Sequence, residues 1–129
     1  MIYIIDTSAW VEYLEGSAKG IMLKNLLGDK KNKFITMESC IAELVGVSER
    51  NGFDFKQIKT YVKENSVILP ILTHTWLDAA KIKCTLRKTR PQFGILDALL
   101  LAKQKELNCH LISSDSHFKG LKNVVYIGD

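Results

Sequence analysis

The chain has 129 residues, of which 47% are hydrophobic and 25% charged, and a formal net charge of +4. That length sets the expectation of one domain over 1–129, able to bury roughly two-thirds of its unfolded surface without staples. No stretch approaches the ~20 apolar residues of a membrane span, no leader of basic then apolar residues opens the chain, and the mild positive charge permits an anionic partner without requiring one.

Cys40, Cys84 and Cys109 are odd in number, widely spaced and never in a CxxC pair. This argues against a disulfide framework and a zinc site, and for buried apolar thiols in a reducing cytoplasm.

In chain order, Ile2, Tyr3, Ile4 and Ile5 form a continuous apolar run that suits a strand buried on both faces. Asp6 ends it, where open α/β sheets bind their ligands. A helix is expected from Ser8 to Glu15, broken by Gly16. A second carries the stripe Ile21, Leu23, Leu26 and Leu27. Phe34–Thr36 reads as the second strand and Met37–Arg50 as a helix stopped by Asn51-Gly52. Glu43 lies at the edge of that helix's apolar arc.

Asp54 can cap a helix over Phe55–Glu64. Val67–Leu69 is a strand ended by Pro70, which has no N–H for a ladder. Thr73 or Thr75 should cap a helix reaching Lys88, stopped by Pro91. Ile95–Leu107 is another helix. Cys109, Leu111 and Ile112 form a fourth strand, Ser116–Gly120 a helical turn, and Asn123–Tyr126 a last strand. Strands alternate with helices, which implies a mostly parallel sheet with helices on both faces.

Four carboxylates stand out. Asp97 interrupts Ile95-Leu96-Asp97-Ala98-Leu99-Leu100-Leu101, a helix apolar on nearly every side. A carboxylate there costs several kcal/mol unless it is paired or metal-bound, although a first-turn position also gains from the helix dipole. Asp6 and Asp115 each follow an apolar strand and can act as caps. Glu43 can be a surface or ion-pair residue. As a set they say more. Parallel strands bring Asp6 and Asp115 to one sheet edge. The helix beginning near Asp97 runs antiparallel to the strands, so its N-terminus reaches the same edge. Carboxylates gathered there repel unless a cation neutralises them. Oxygen ligation selects Mg²⁺, Mn²⁺ or Ca²⁺, and Mg²⁺ suits phosphodiester hydrolysis.

These acids in their contexts resemble the PIN-domain nucleases, and among them the small VapC-type toxins of type II toxin–antitoxin pairs. The matching pieces are IIDTSAW, IAELVG, GILDALLLAKQKE and LISSDSHF, in the family's order and spacing across essentially the whole chain. The resemblance implies a three-layer α/β/α PIN-like domain with a central, mostly parallel sheet of four to five strands. It implies an Mg²⁺- or Mn²⁺-dependent endoribonuclease, cytoplasmic, homodimeric and held by a cognate antitoxin. Carried over by position, Asp6, Glu43, Asp97 and Asp115 would be the acidic, metal-binding site, with Ser8 and Ser113 orienting carboxylates through their hydroxyls. Some members carry a further acid two residues after the last one. Here that position is His117, expected at the surface or against phosphate rather than as a base. Lys81, Lys83, Arg87, Lys88 and Arg90 crowd ten residues without an acid, so Lys88 and Arg90 are candidates for RNA contact, a solvated helix face being the plain alternative.

Two other readings compete. An aspartyl phosphotransferase would also place Asp6 at a strand end, but the haloacid-dehalogenase type wants a second Asp where Ser8 stands. A receiver domain would want paired acids after its first strand. A catalytically silent PIN-like scaffold would use its acids as caps, with Trp10, Tyr13, Leu14 and Trp76 available to a partner. Bound divalent metal separates it from the enzyme.

Overall fold

The structure, a computed structural model, describes residues 1–129. Strand β1 (Ile2–Ile5) leads to helices α1 (Thr7–Leu14) and α2 (Gly20–Gly28), then β2 (Lys33–Met37). Helices α3 (Glu38–Asn51) and α4 (Phe55–Asn65) connect to β3 (Val67–Leu69). Helices α5 (Thr73–Leu86) and α6 (Ile95–Leu107) then return the chain to β4 (His110–Ser113). A 3-10 turn, Ser116–Phe118, precedes β5 (Val124–Tyr126). The five strands form one sheet in the order β3-β2-β1-β4-β5, and every pairing is parallel.

The handedness of parallel crossovers explains the layers. From β1 the chain steps outward to β2 and β3, then crosses back to β4 on the other side of β1. Reversing the direction of travel moves the connecting helices to the opposite face. Trp10, Leu23, Leu44 and Ile58, from α1 to α4, pack with Tyr3 and Ile5 on one face. Ala79, Leu99 and Ala102, from α5 and α6, pack with Ile4 and Leu111 on the other. The apolar run of β1 therefore feeds two cores, and each fully buried Ile contributes roughly 1.5–3 kcal/mol. The reversal opens a crevice between the C-terminal ends of β1 and β4.

Two contacts hold α1 in place over that crevice. Trp10 Nε1 donates to Thr36 Oγ1 at 3.1 Å, and that hydroxyl is 2.7 Å from Ser66 Oγ. Gly20 lets α2 lie directly on α1, since a Cβ there would sit 2.5 Å from the Glu12 carbonyl oxygen.

Several expectations need revision. The N-cap of α5 is Leu72, without a side-chain cap bond. Thr75 is buried and its hydroxyl has no partner, so it caps nothing. Extended backbone through Leu72 starts the helix early, and Ile71 N donates to Glu38 Oε1 at 2.9 Å just before it. The same helix stops at Leu86 rather than Lys88. Cys40 and Cys109 are buried, but Cys84 is exposed on the outer side of α5. Trp10 is completely buried, which removes it from any partner surface.

Candidate metal centre

Asp6 leaves β1 in extended conformation and occupies the N-cap position of α1, yet its side chain caps no amide. Its carboxylate turns into the crevice instead. Ser8 Oγ donates to Asp6 Oδ2 at 2.8 Å and Ser113 Oγ donates to the same oxygen at 2.7 Å. The β1–β4 pairing, with Ile5 opposite Ile112, delivers Ser113 to this point. Both hydroxyls also accept backbone amides, Ser8 Oγ from Ser114 and Ser113 Oγ from Asp115, each at 3.0 Å. The two serines thus tie the β1 and β4 ends together, and they leave Oδ1 of Asp6 to the cleft.

Glu43 reaches over from α3, where it accepts a 2.9 Å bond from Thr7 Oγ1. Asp97 is the third residue of α6, and its Oδ2 accepts the Gly94 amide at 3.0 Å, half of a capping box. Asp115 caps the 3-10 turn by accepting the His117 amide at 2.9 Å. The cap readings of Asp97 and Asp115 are therefore real but partial, and neither explains Asp6 or Glu43. His117 is partly exposed, and its ring also meets the acids. The 3-10 turn folds its ring back to 3.0 Å from Asp97 Oδ2 and 3.6 Å from Asp115 Oδ1, through Nδ1 in both cases.

These acids line one cleft of about 470 Å³, together with Glu12 of α1 and Arg50 of α3. Burial pushes the Asp6 carboxyl up to about 6, against the lowering effect of the Ser113 and Ser8 bonds, and the charges of Glu43 and Asp115 push the same way. Loss of water also raises Glu43, opposed by Thr7 and reinforced by Asp97 and Asp115. The Cys40 thiol lies behind Asp6 and burial pushes it up to about 12. It stays protonated in the ion-free protein, and the groups that could hold a metal ion are Asp6 with Cys40 and Glu43, and Asp97 with Asp115 and His117. His117 Nδ1 is within hydrogen-bond distance of Asp97 Oδ2, whereas Asp6 and Glu43 form no salt bridge within 4 Å.

Three features were not visible in the sequence pattern. Thr7 holds Glu43. His117 joins the acids. Arg50 enters the cleft because it lies seven residues after Glu43, on the same face of α3. Arg90, a candidate for RNA contact, has structural partners. Its guanidinium donates to the carbonyls of His117 and Lys119, both at 2.9 Å, and clamps the 3-10 turn. Lys88 is exposed beyond the end of α5.

A parallel α/β domain with a carboxylate cleft at its topological switch point defines a class, and comparison with known proteins gives the family. The PIN domain profile matches residues 3–124; the chain belongs to the PIN domain family. Its fold is similar to that of a toxin–antitoxin complex from Klebsiella pneumoniae, with a TM-score of 0.69 at 17% identity, covering 98% of this chain and 98% of that one. VapBC2 from Rickettsia felis, solved bound to a DNA fragment from its promoter, gives 0.69 at 20% identity over 98% and 97%. VapC20 of Mycobacterium tuberculosis, described as a sarcin-ricin loop cleaving toxin, gives 0.71 at 16% identity over 95% and 96%. At these identities the likeness is one of fold. No curated protein sequence matches the chain. No helix is long and apolar enough to cross a membrane.

Proposed function

We propose that the chain is a metal-dependent endoribonuclease, the toxin of a VapBC-type toxin–antitoxin pair, with Asp6, Glu43, Asp97 and Asp115 as its metal-binding and catalytic acids. The observation that carries this reading is Asp6: a buried carboxylate, held by two hydroxyls, sharing a cleft with Glu43, Asp97 and Asp115 and making no salt bridge of its own. Such an arrangement is costly for a scaffold and apt for a cation. The donor chemistry fits Mg²⁺ or Mn²⁺, since carboxylate oxygens dominate it.

When bound, such an ion lowers the pKa of water and takes up charge on phosphate oxygens. The protein's own part is orientation. Ser8 and Ser113 fix Asp6, Thr7 fixes Glu43, and the Gly94 amide fixes Asp97. Arg50 at the cleft wall is placed to grip a substrate phosphate. The neighbours described as toxin–antitoxin complexes and as a cleaving toxin support RNA as substrate and an antitoxin as partner. A homodimer in the cytoplasm is the setting this reading implies.

The test is cleavage of RNA by the purified protein in Mg²⁺ or Mn²⁺, with and without chelator, beside Asp97→Asn. Cleavage that chelator stops and Asp97→Asn loses supports the reading. Cleavage unaffected by either would refute it.

A further inference from the structure

The reading of the cleft as a metal site assigns its acids, and on that reading the ligand set can be taken further. We propose that His117 is itself a metal ligand, through Nδ1, and that it tilts the site toward Mn²⁺ and away from Mg²⁺.

His117, Asp97 and Asp115 each bring a ligand atom into one group whose members lie within 4.8 Å of one another. Nδ1 is 3.0 Å from Asp97 Oδ2 and 3.6 Å from Asp115 Oδ1. Neighbouring donors around a six-coordinate ion with bonds of 2.0–2.1 Å lie about 3 Å apart, so these separations are close to those that a shared ion demands. The backbone that carries the ring is held on both sides, and the ring itself meets Asp97 through Nδ1. Asp115 accepts the His117 amide and Arg90 holds the His117 carbonyl, so both sides of the residue's backbone are fixed. Its side chain is 35% exposed, comparable to the 34% of Asp115, so both remain open to solvent and to an incoming ion.

One imidazole among carboxylates changes ion choice. Magnesium is a hard cation that takes oxygen and releases its waters reluctantly. Manganese accepts carboxylates equally well and tolerates imidazole nitrogen better. A His at this position therefore sets the chain apart from an all-acid version of the same cleft, and His117→Asp should recreate that version.

The experiment uses Mn²⁺ and Mg²⁺ alone, without RNA. The whole protein and its His117→Asp variant are titrated with each ion by calorimetry, and the Mn²⁺-loaded protein is examined by pulsed electron paramagnetic resonance for coupling to nitrogen. The expected result is a nitrogen coupling in the parent protein that His117→Asp removes, with the Mn²⁺-over-Mg²⁺ preference falling on the order of tenfold in the variant. Bound Mn²⁺ without nitrogen coupling would overturn the role of His117 and leave the carboxylate site standing. Failure of the parent protein to bind either ion would overturn the metal-site reading beneath it.

Discussion

Asp6→Asn should make the ion-free protein more stable at neutral pH, although Asp6 is buried and doubly hydrogen-bonded. Its carboxyl titrates at about 6 in the folded protein against 3.8 in a solvated chain. Between those values the folded state holds a proton that the unfolded state has released, so stability falls as pH rises through this window and the full cost is present above it. At about 1.4 kcal/mol per pKa unit, the ionised carboxylate costs about 3 kcal/mol at pH 7.5. Asparagine removes the charge while its amide oxygen can still accept from Ser8 and Ser113. Urea unfolding in chelator, followed by tryptophan fluorescence, reads this directly. The variant should exceed the parent by roughly 2–3 kcal/mol at pH 7.5 and lose most of that advantage near pH 4. Saturating Mn²⁺ should reverse the order, because only the parent keeps its full ligand set. A variant destabilised equally at both pH values would refute the reasoning and make Asp6 a structural hub of the β1–β4 junction.

Asp97→Asn should lower RNA cleavage by more than about a hundredfold with an unchanged circular dichroism spectrum; the Gly94 amide bond survives, because the asparagine oxygen can accept it. Arg50→Gln should reduce kcat/KM roughly tenfold, the scale of one charged hydrogen bond, and should lower the slope of log affinity against log salt by about 0.7. Lys88→Ala, measured beside it, should change the slope by a similar amount only if RNA continues past the end of α5. Gly20→Ala should cost roughly 1–3 kcal/mol in urea unfolding, because the backbone of Glu12 and Tyr13 occupies the space its methyl needs.

The layered sheet could be read from the chain because its signals are local. Ile2 to Ile5 are apolar without a break, Gly16 and Gly52 adopt positive φ where helices stop, and Asp54 caps α4 through the amides of Lys56 and Gln57. The meeting of Asp6 and Asp115 follows from parallel topology alone. What escaped notice depends on packing. That Thr7 donates to Glu43 is decided by how α3 crosses the end of β1. That Arg90 clamps a turn 27 residues later is decided by the path from α5 to α6. Thr75 shows the same limit from the other side: a good capping residue type became buried with its hydroxyl unpaired, since the chain before it was already committed to extended backbone.

The cleft and the fold pull against each other at one place. The switch point exists because β1 is flanked by β2 and β4 with helices on opposite faces, and this same arrangement buries Asp6 under α1. Two serines, one on each strand end, convert the burial into orientation by binding one oxygen of the carboxylate and leaving the other free. Removing either hydroxyl would raise the Asp6 carboxyl further, because both bonds favour the ionised form. A cation would lower it. The serines therefore keep Asp6 close enough to ionisation that a cation, on the proposed reading, could complete it at neutral pH, and on that reading hydroxyls rather than alanines suit these two positions.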